Sequence, residues 1–325
     1  MTQTPLAPPA PFSERLADLP VPLFATVLGL GGFTLATRTA ENALALGPVA
    51  SPALLWATIA VMALVSLLYL AKLLRHPSAV QAEWQHPVRI AFFPAISISA
   101  LLIATALPDP TIARPLWLGA VVVQGVFMLS VVASWIGHRA FTPAHLSPAW
   151  FIPAVGNVVA PIGGVAFGYV ELSWLFFTTG LLFWLVLLTL VFNRLVFHDP
   201  LPGRLLPTLV ILIAPPAVAF VAWVALTGAV DPFARILLNA GYLFLGIVLT
   251  QGGKIVRLPF ALSWWALSFP IAALSLASMQ YGMLTGSEVH RLIGLGLWGC
   301  LGATVAGLVL RTLLAAWRGE ICRPE

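Results

Sequence analysis

Charge is what this sequence has least of. Only 8% of its 325 residues are Asp, Glu, Lys or Arg, while 60% are hydrophobic; a soluble domain carries about 25% charged residues. So few charges cannot cover a water-facing surface, which excludes a soluble enzyme and a nucleic-acid-binding module. The formal net charge of +5 does not change this, because sixteen basic residues spread along the whole chain form no basic patch. Cysteine is almost absent. Cys300 lies within an apolar stretch and Cys322 in a polar tail, so no structural disulfide is expected. The six histidines (His76, His86, His138, His145, His198 and His290) all fall at the ends of apolar stretches or between them. That leaves no axial ligands for a membrane haem and no cluster with metal-ligand spacing, so neither cofactor nor metal is expected. The first twenty residues are polar, proline-rich and both acidic and basic, unlike a cleavable signal, so the first apolar stretch should be retained.

Apolar length is what the chain has in abundance. A membrane-spanning helix needs about 20 mostly apolar residues. Ten such segments run at roughly 21–38, 51–73, 89–108, 112–137, 149–170, 172–196, 205–229, 233–254, 259–283 and 289–316. The fold class is therefore an all-α integral membrane protein with one transmembrane domain at 21–317, flanked by tails at 1–20 and 318–325. Basic residues sort by face. Arg15, Lys72, Arg75, Arg89, Arg139, Arg194, Arg204, Lys254, Arg257, Arg311, Arg318 and Arg323 share one set of connections, and Arg38, Arg114, Arg235 and Arg291 the other. Because Lys and Arg collect on the cytoplasmic side, both termini should be cytoplasmic in a multi-pass inner (plasma) membrane protein. The opposite face carries one acid per connection: Glu41, Asp109, Glu171, Asp231 and Glu288.

Paired, the segments make five hairpins starting near residues 20, 87, 148, 202 and 259. Proline separates them into two classes. Odd segments carry it in their interiors, at Pro94, Pro153 and Pro161, Pro215 and Pro216, and Pro270; the first has Gly29, Gly31 and Gly32 instead. Even segments carry it near their starts, at Pro52, Pro115 and Pro232. An interior proline removes a backbone hydrogen bond and kinks a helix, and in lipid the freed carbonyl needs protein or a wet cavity. Kinked helices then belong inside and straight ones outside. A quasi-five-fold ring, with segments 1, 3, 5, 7 and 9 around a pore, satisfies this; so does a tightly packed bundle.

The odd segments hold no ionisable residue between their ends, and Asn157 is the most polar side chain in their interiors. Proton relays use Asp, Glu or His at depth, so a carboxylate-coupled carrier is disfavoured. A neutral pore can still attract anions through backbone dipoles and basic residues at its mouth. Arg89 and Arg204 suit that position, and equally suit ordinary cytoplasmic anchors. Gly294, Gly296 and Gly299 match G-x-G-x-x-G but sit inside an apolar helix with no preceding strand, which fits close helix packing better than a dinucleotide site.

Four strings carry a family resemblance. His86-Pro87-Val88-Arg89 followed by Phe92-Phe93-Pro94, Pro148-Ala149-Trp150-Phe151-Ile152-Pro153-Ala154-Val155-Gly156-Asn157, Ala214-Pro215, and Trp264-Trp265-Ala266-Leu267-Ser268-Phe269-Pro270 resemble, in order, inner-helix signatures of the tellurite-resistance/dicarboxylate transporter family. That family includes the bacterial TehA type and the plant guard-cell slow-type anion channels. The resemblance covers about residues 20 to 317. It implies a homotrimer with one pore per protomer, and a gate in which Phe269 plugs that pore. Phe269 directly precedes an interior proline, a suitable place to aim a ring at an axis, although a core- or lipid-facing aromatic reads the same way. Two departures stand out. The first segment reads Phe24-Ala25-Thr26-Val27-Leu28-Gly29 and lacks the family's proline, and Leu267 replaces the first ring of the ninth-segment motif. The function expected is a gated channel, not an enzyme, passing small anions such as chloride and nitrate through an uncharged pore. The alternative is a secondary transporter of C4-dicarboxylate, sulfite or tellurite-related oxyanions. Inorganic or organic anions and the lipid bilayer are the expected partners, with no nucleic acid.

Overall fold

The computed structural model describes residues 12–137 and 141–322; His138, Arg139 and Arg323 lie outside that range. Twelve α-helices and no strand occur among the described residues. They are α1 (Phe12–Ala17), α2 (Phe24–Ala43), α3 (Ser51–Arg75), α4 (Pro77–Gln85), α5 (Pro94–Ala106), α6 (Pro110–Ile136), α7 (Phe151–Gly164), α8 (Val170–Phe197), α9 (Ala214–Thr227), α10 (Pro232–Ile255), α11 (Ser268–Thr285) and α12 (Glu288–Trp317). All ten apolar segments are helical. Among the described residues, nine helical stretches are long and apolar enough to cross a membrane. The fifth segment is shorter than its hydropathy suggested: α7 has 14 residues behind a three-residue turn and ends at Gly164. A glycine pair closes it. A Cβ on Gly164 would come 2.3 Å from Ser173 Oγ and 2.4 Å from the Trp117 ring, so the chain turns there in close contact with α6 and α8.

The short helix α4 was not expected. Its nine residues include only Val80 and Trp84 as large apolar side chains, too few to stand out by periodicity. It is held by Glu83, whose Oε1 accepts from the Val21 amide at 3.0 Å. Glu83 Oε2 accepts from Tyr69 Oη at 2.8 Å and Lys72 Nζ at 2.7 Å. Lys72 also donates to the Leu19 carbonyl at 2.7 Å. This buried ion pair joins α3, α4 and the start of α2.

The prolines act at a definite place. Each of α2, α5, α7, α9 and α11 is preceded by a 3₁₀ stretch: Val21–Leu23, Arg89–Phe92, Pro148–Trp150, Gly203–Ile213 and Leu262–Leu267. Pro94 opens α5, Pro153 is third in α7, Pro215 and Pro216 are second and third in α9, and Pro270 is third in α11. In a first turn the missing N–H breaks no α-helical bond. These prolines therefore mark the change from 3₁₀ to α, which corrects the expectation of mid-helix breaks; Pro161 is the one inside the body of its helix, α7. The first segment shares the device, since Pro22 lies in its 3₁₀ lead-in. Among the outer helices, Asp109 and Asp231 cap α6 and α10, each just before a proline at the first helical position. Bonds from the Thr111 hydroxyl and amide hold the Asp109 carboxyl below its ordinary pKa.

The two classes also differ in burial. In the spans starting at Val21, Arg89, Gly203 and Leu262, 56–83% of the most apolar window is buried, against 22–33% in α3, α6, α8, α10 and α12. The exposed apolar side chains of the second group, such as Leu74, Leu129, Leu249 and Leu313, match a lipid surface. The inner helices touch in cyclic order: α2 with α5, α5 with α7, α7 with α9, α9 with α11, and α11 with α2. Each outer helix lies against two consecutive inner ones, as α6 does against α5 and α7. All five inner helices run in the same direction. The face at their starts is termed the first face below, and the face at their ends the second.

Candidate functional site

Two cavities lie within the cycle of inner helices. The one nearer the second face is walled by Gly32 and Leu35 of α2, Leu102 of α5, Val159 and Ile162 of α7, Val218 and Val221 of α9, and Phe269, Ala272, Ala273 and Leu276 of α11. The one nearer the first face is walled by Ala25 and Leu28, Phe92 and Ile98, Ile152 and Val155, Ile211 and Ala214, and Trp265, Ala266, Phe269 and Pro270. Every hairpin contributes its inner segment to both. One residue belongs to both walls: Phe269. The residue is 7% exposed and lines both spaces.

Glycine makes room for this ring. A Cβ on Gly32 would lie 3.1 Å from Phe269 Cδ2, and one on Gly29 would lie 2.1 Å from Ser268 Oγ and 3.0 Å from the Trp265 ring. Gly29 therefore serves by letting α2 approach α11, and the wall position falls to Gly32. The lead-in is tied outward as well, because Trp265 Nε1 donates to Thr312 Oγ1 of α12 at 2.9 Å.

No wall side chain is charged, and several inner-helix hydroxyls bond away from the walls, whereas the buried Ser99 Oγ of α5 has no partner among the described residues. Thr26 and Ser268 donate to Leu23 and Trp265 carbonyls, Ser278 to Leu274, and Ser275 to Gly294 on α12. A hydroxyl in a dry interior needs a partner, and a carbonyl one turn back supplies one. Asn157 follows the same rule. It stands away from both walls and accepts from Gln124 Nε2 at 3.2 Å, while the same amide donates to the Pro153 carbonyl at 2.9 Å and Gln124 Oε1 accepts from Ser97 at 2.7 Å. Gly156 permits this reach, since a Cβ there would sit 2.4 Å from the Gln124 amide. Gln124 is fully buried. Gln124→Leu is expected to lower stability by about 2–3 kcal/mol by stranding its partners, read as a lower thermal midpoint in detergent; an unchanged midpoint would show that Asn157 and Pro153 find other partners.

Of the residues proposed from sequence, Phe269 and Pro270 reach the walls. Gly29, Pro94, Pro153, Pro161, Pro215 and Pro216 shape the helices behind them. Arg89 lies in the lead-in to α5 with Nη1 3.9 Å from Glu83 Oε1, and Arg204 is exposed at the start of the lead-in to α9. Neither is a wall residue; both stand at the first face. Gln124 and Glu83 escaped the sequence reading, and Gly32 entered it only in place of an interior proline, because each takes its role from a helix distant in sequence. The first-face cavity lies among the first turns of the inner helices, where aligned backbone dipoles present their positive ends.

Comparison with known proteins completes this picture. The family described as SLAC1, voltage-dependent anion channel, matches residues 18–313. The S-type anion channel SLAH2 of Arabidopsis thaliana is 29% identical over 87% of this chain and 56% of its own length. The chain spans about half the length of the plant relatives SLAH2 and SLAH3. A tellurite resistance protein TehA homolog from Haemophilus influenzae is 30% identical, covering 79% of each chain. An uncharacterized transporter of Methanocaldococcus jannaschii is 25% identical over 93% of this chain and 96% of its own.

Proposed function

The chain belongs to the voltage-dependent anion channel family, and from that premise we propose that it passes small monovalent anions, such as chloride and nitrate, along the line of its two apolar cavities, with Phe269 as the closing element. The observation that carries this reading is that Phe269 alone belongs to both cavity walls. The cyclic contacts of the inner helices support a quasi-five-fold ring of ten spans in one transmembrane domain at 21–317. The positive ends of five helix starts around the first-face cavity favour an anion without a fixed charge. The bias of basic residues toward the first face supports cytoplasmic termini in the plasma membrane, and the family likeness supports a homotrimer with one pore per protomer.

The second reading, export or uptake of a dicarboxylate, sulfite or tellurite-related oxyanion, is favoured by one relative being named for tellurite resistance. The apolar walls weigh against it, since a divalent organic anion would cross them with no cation to pair with. In an uncharged path, hydration cost sets the order of permeation. Reversal potentials are expected to place nitrate at or ahead of chloride and malate far behind, with current rising without saturation. Saturable malate uptake driven by a pH gradient in proteoliposomes would overturn the channel in favour of the carrier.

A further inference from the structure

All five inner helices end on the second face, so their negative carbonyl ends gather there, each equivalent to roughly half a charge. An anion crossing that mouth meets an opposing field unless something offsets it. Two of these helices end on left-handed glycines, Gly228 and Gly286, each at φ 72°. Terminal carbonyls of α5 and α2, and a carbonyl in the turn after α7, meet arginine. Arg38 Nη1 and Nη2 donate to the Ala106 and Thr105 carbonyls at the end of α5, at 3.0 and 2.9 Å. Arg291 Nη1 donates to Ala43 at the end of α2 at 2.9 Å. Arg114 Nη2 donates to Phe167, in the turn after α7, at 2.9 Å. These are three of the four basic residues assigned to this face.

Arg38 is placed over the cavity. It follows the wall residue Leu35 by three positions on α2, and its target Thr105 follows the wall residue Leu102 by three on α5. Both intervals are about one helical turn, so the guanidinium bridges two inner helices one turn outside the cavity. The charge of Glu41 is near enough to act on Arg38, but neither nearby acid hydrogen-bonds to it. Glu41 accepts from the Val49, Ala50 and Ser51 amides and the Ser51 hydroxyl at the start of α3. Glu288 is held bidentately by Arg291.

We infer that Arg38, assisted by Arg114, determines anion preference at the second-face mouth by offsetting the carbonyl ends of the inner helices. This rests on the channel reading above, and the test separates the two. In a Phe269→Ala parent at about 10 mM symmetric chloride, where the screening length is about 30 Å, Arg38→Gln is expected to cut anion current from the second face about threefold relative to the opposite direction. At about 1 M salt, with screening near 3 Å, the asymmetry should vanish. Arg38→Lys, which keeps the charge, should retain most of the current, whereas loss of a two-carbonyl clamp alone would damage Lys and Gln variants alike. Arg114→Gln, at an exposed site, should show a weaker change of the same sign and serves if Arg38→Gln is not recovered. A parent without anion current overturns the channel reading and this inference together. A conducting parent whose rectification is unchanged by Arg38→Gln and Arg114→Gln, or in which Lys and Gln at position 38 lose current equally, overturns the Arg38 inference alone.

Discussion

Phe269→Ala is expected to raise anion current roughly thirty- to a hundredfold over the unaltered chain at equal surface density. The size follows from burial. Moving a packed phenylalanine ring out of apolar contact costs about 2–3 kcal/mol, and each 1.4 kcal/mol is about tenfold in population. The ring lies against Gly32, where a Cβ would come within 3.1 Å, and it lines both cavities. Truncation to a methyl group removes the ring, and no other side chain shared by both walls can replace it. Phe269→Leu keeps much of the volume and should give an intermediate current. The measurement is whole-cell current in oocytes, with surface protein counted by biotinylation. Alanine and wild-type currents that agree at equal surface density would remove Phe269 from the gate.

The parts of this architecture that sequence reveals are those written in local composition. Ten apolar runs became ten helices, and the prolines of alternate runs marked the buried set, because hydropathy and a missing N–H act within a few residues. The same local reading misplaced what those prolines do. It saw Pro94 and Pro270 inside apolar runs, whereas hydrogen bonding starts the α-helix at or just before them. Asn157 shows the limit for the site. As an amide in the interior of an inner segment it invited a pore role, but Gln124 of α6 reaches across Gly156 to claim it, a pairing visible only once the helices are packed. Phe269 was singled out by resemblance; its position next to Pro270 was compatible with several surroundings, and only the two shared walls distinguish them. Arg38 was counted as a charge on a face, since nothing local signals that α5 ends beside it.

Glu83→Gln is expected to be the most destabilising single substitution proposed, at about 3–5 kcal/mol. Lys72 and Glu83 side chains are each 2% exposed, with Nζ 2.7 Å from Oε2. Two charges so placed have lost their hydration and depend on each other. Glutamine keeps one carbonyl oxygen but turns a donor toward a pocket already full of donors: the Val21 amide, the Tyr69 hydroxyl and the Lys72 ammonium. The lysine is left with the Leu19 carbonyl and an uncompensated charge. Lys72→Met leaves a better-served partner, because Glu83 retains the Val21 and Tyr69 donors and the nearby Arg89 guanidinium, so its loss should be smaller, about 1–3 kcal/mol. The double variant Lys72→Met with Glu83→Gln should lose at least about 1 kcal/mol less than the two single losses combined. In thermal unfolding in detergent, Glu83→Gln should lower the midpoint by roughly 5–10 °C. The effect should also reach the first-face cavity. The Tyr69 ring packs edge-on against Phe24 at 5.6 Å and Phe93 at 6.4 Å, and Phe93 adjoins the wall residue Phe92. Loosening the pair frees the starts of α2 and α5 together. A Glu83→Gln protein with an unshifted midpoint, or additive losses in the double variant, would show that the pair contributes no coupling to the fold.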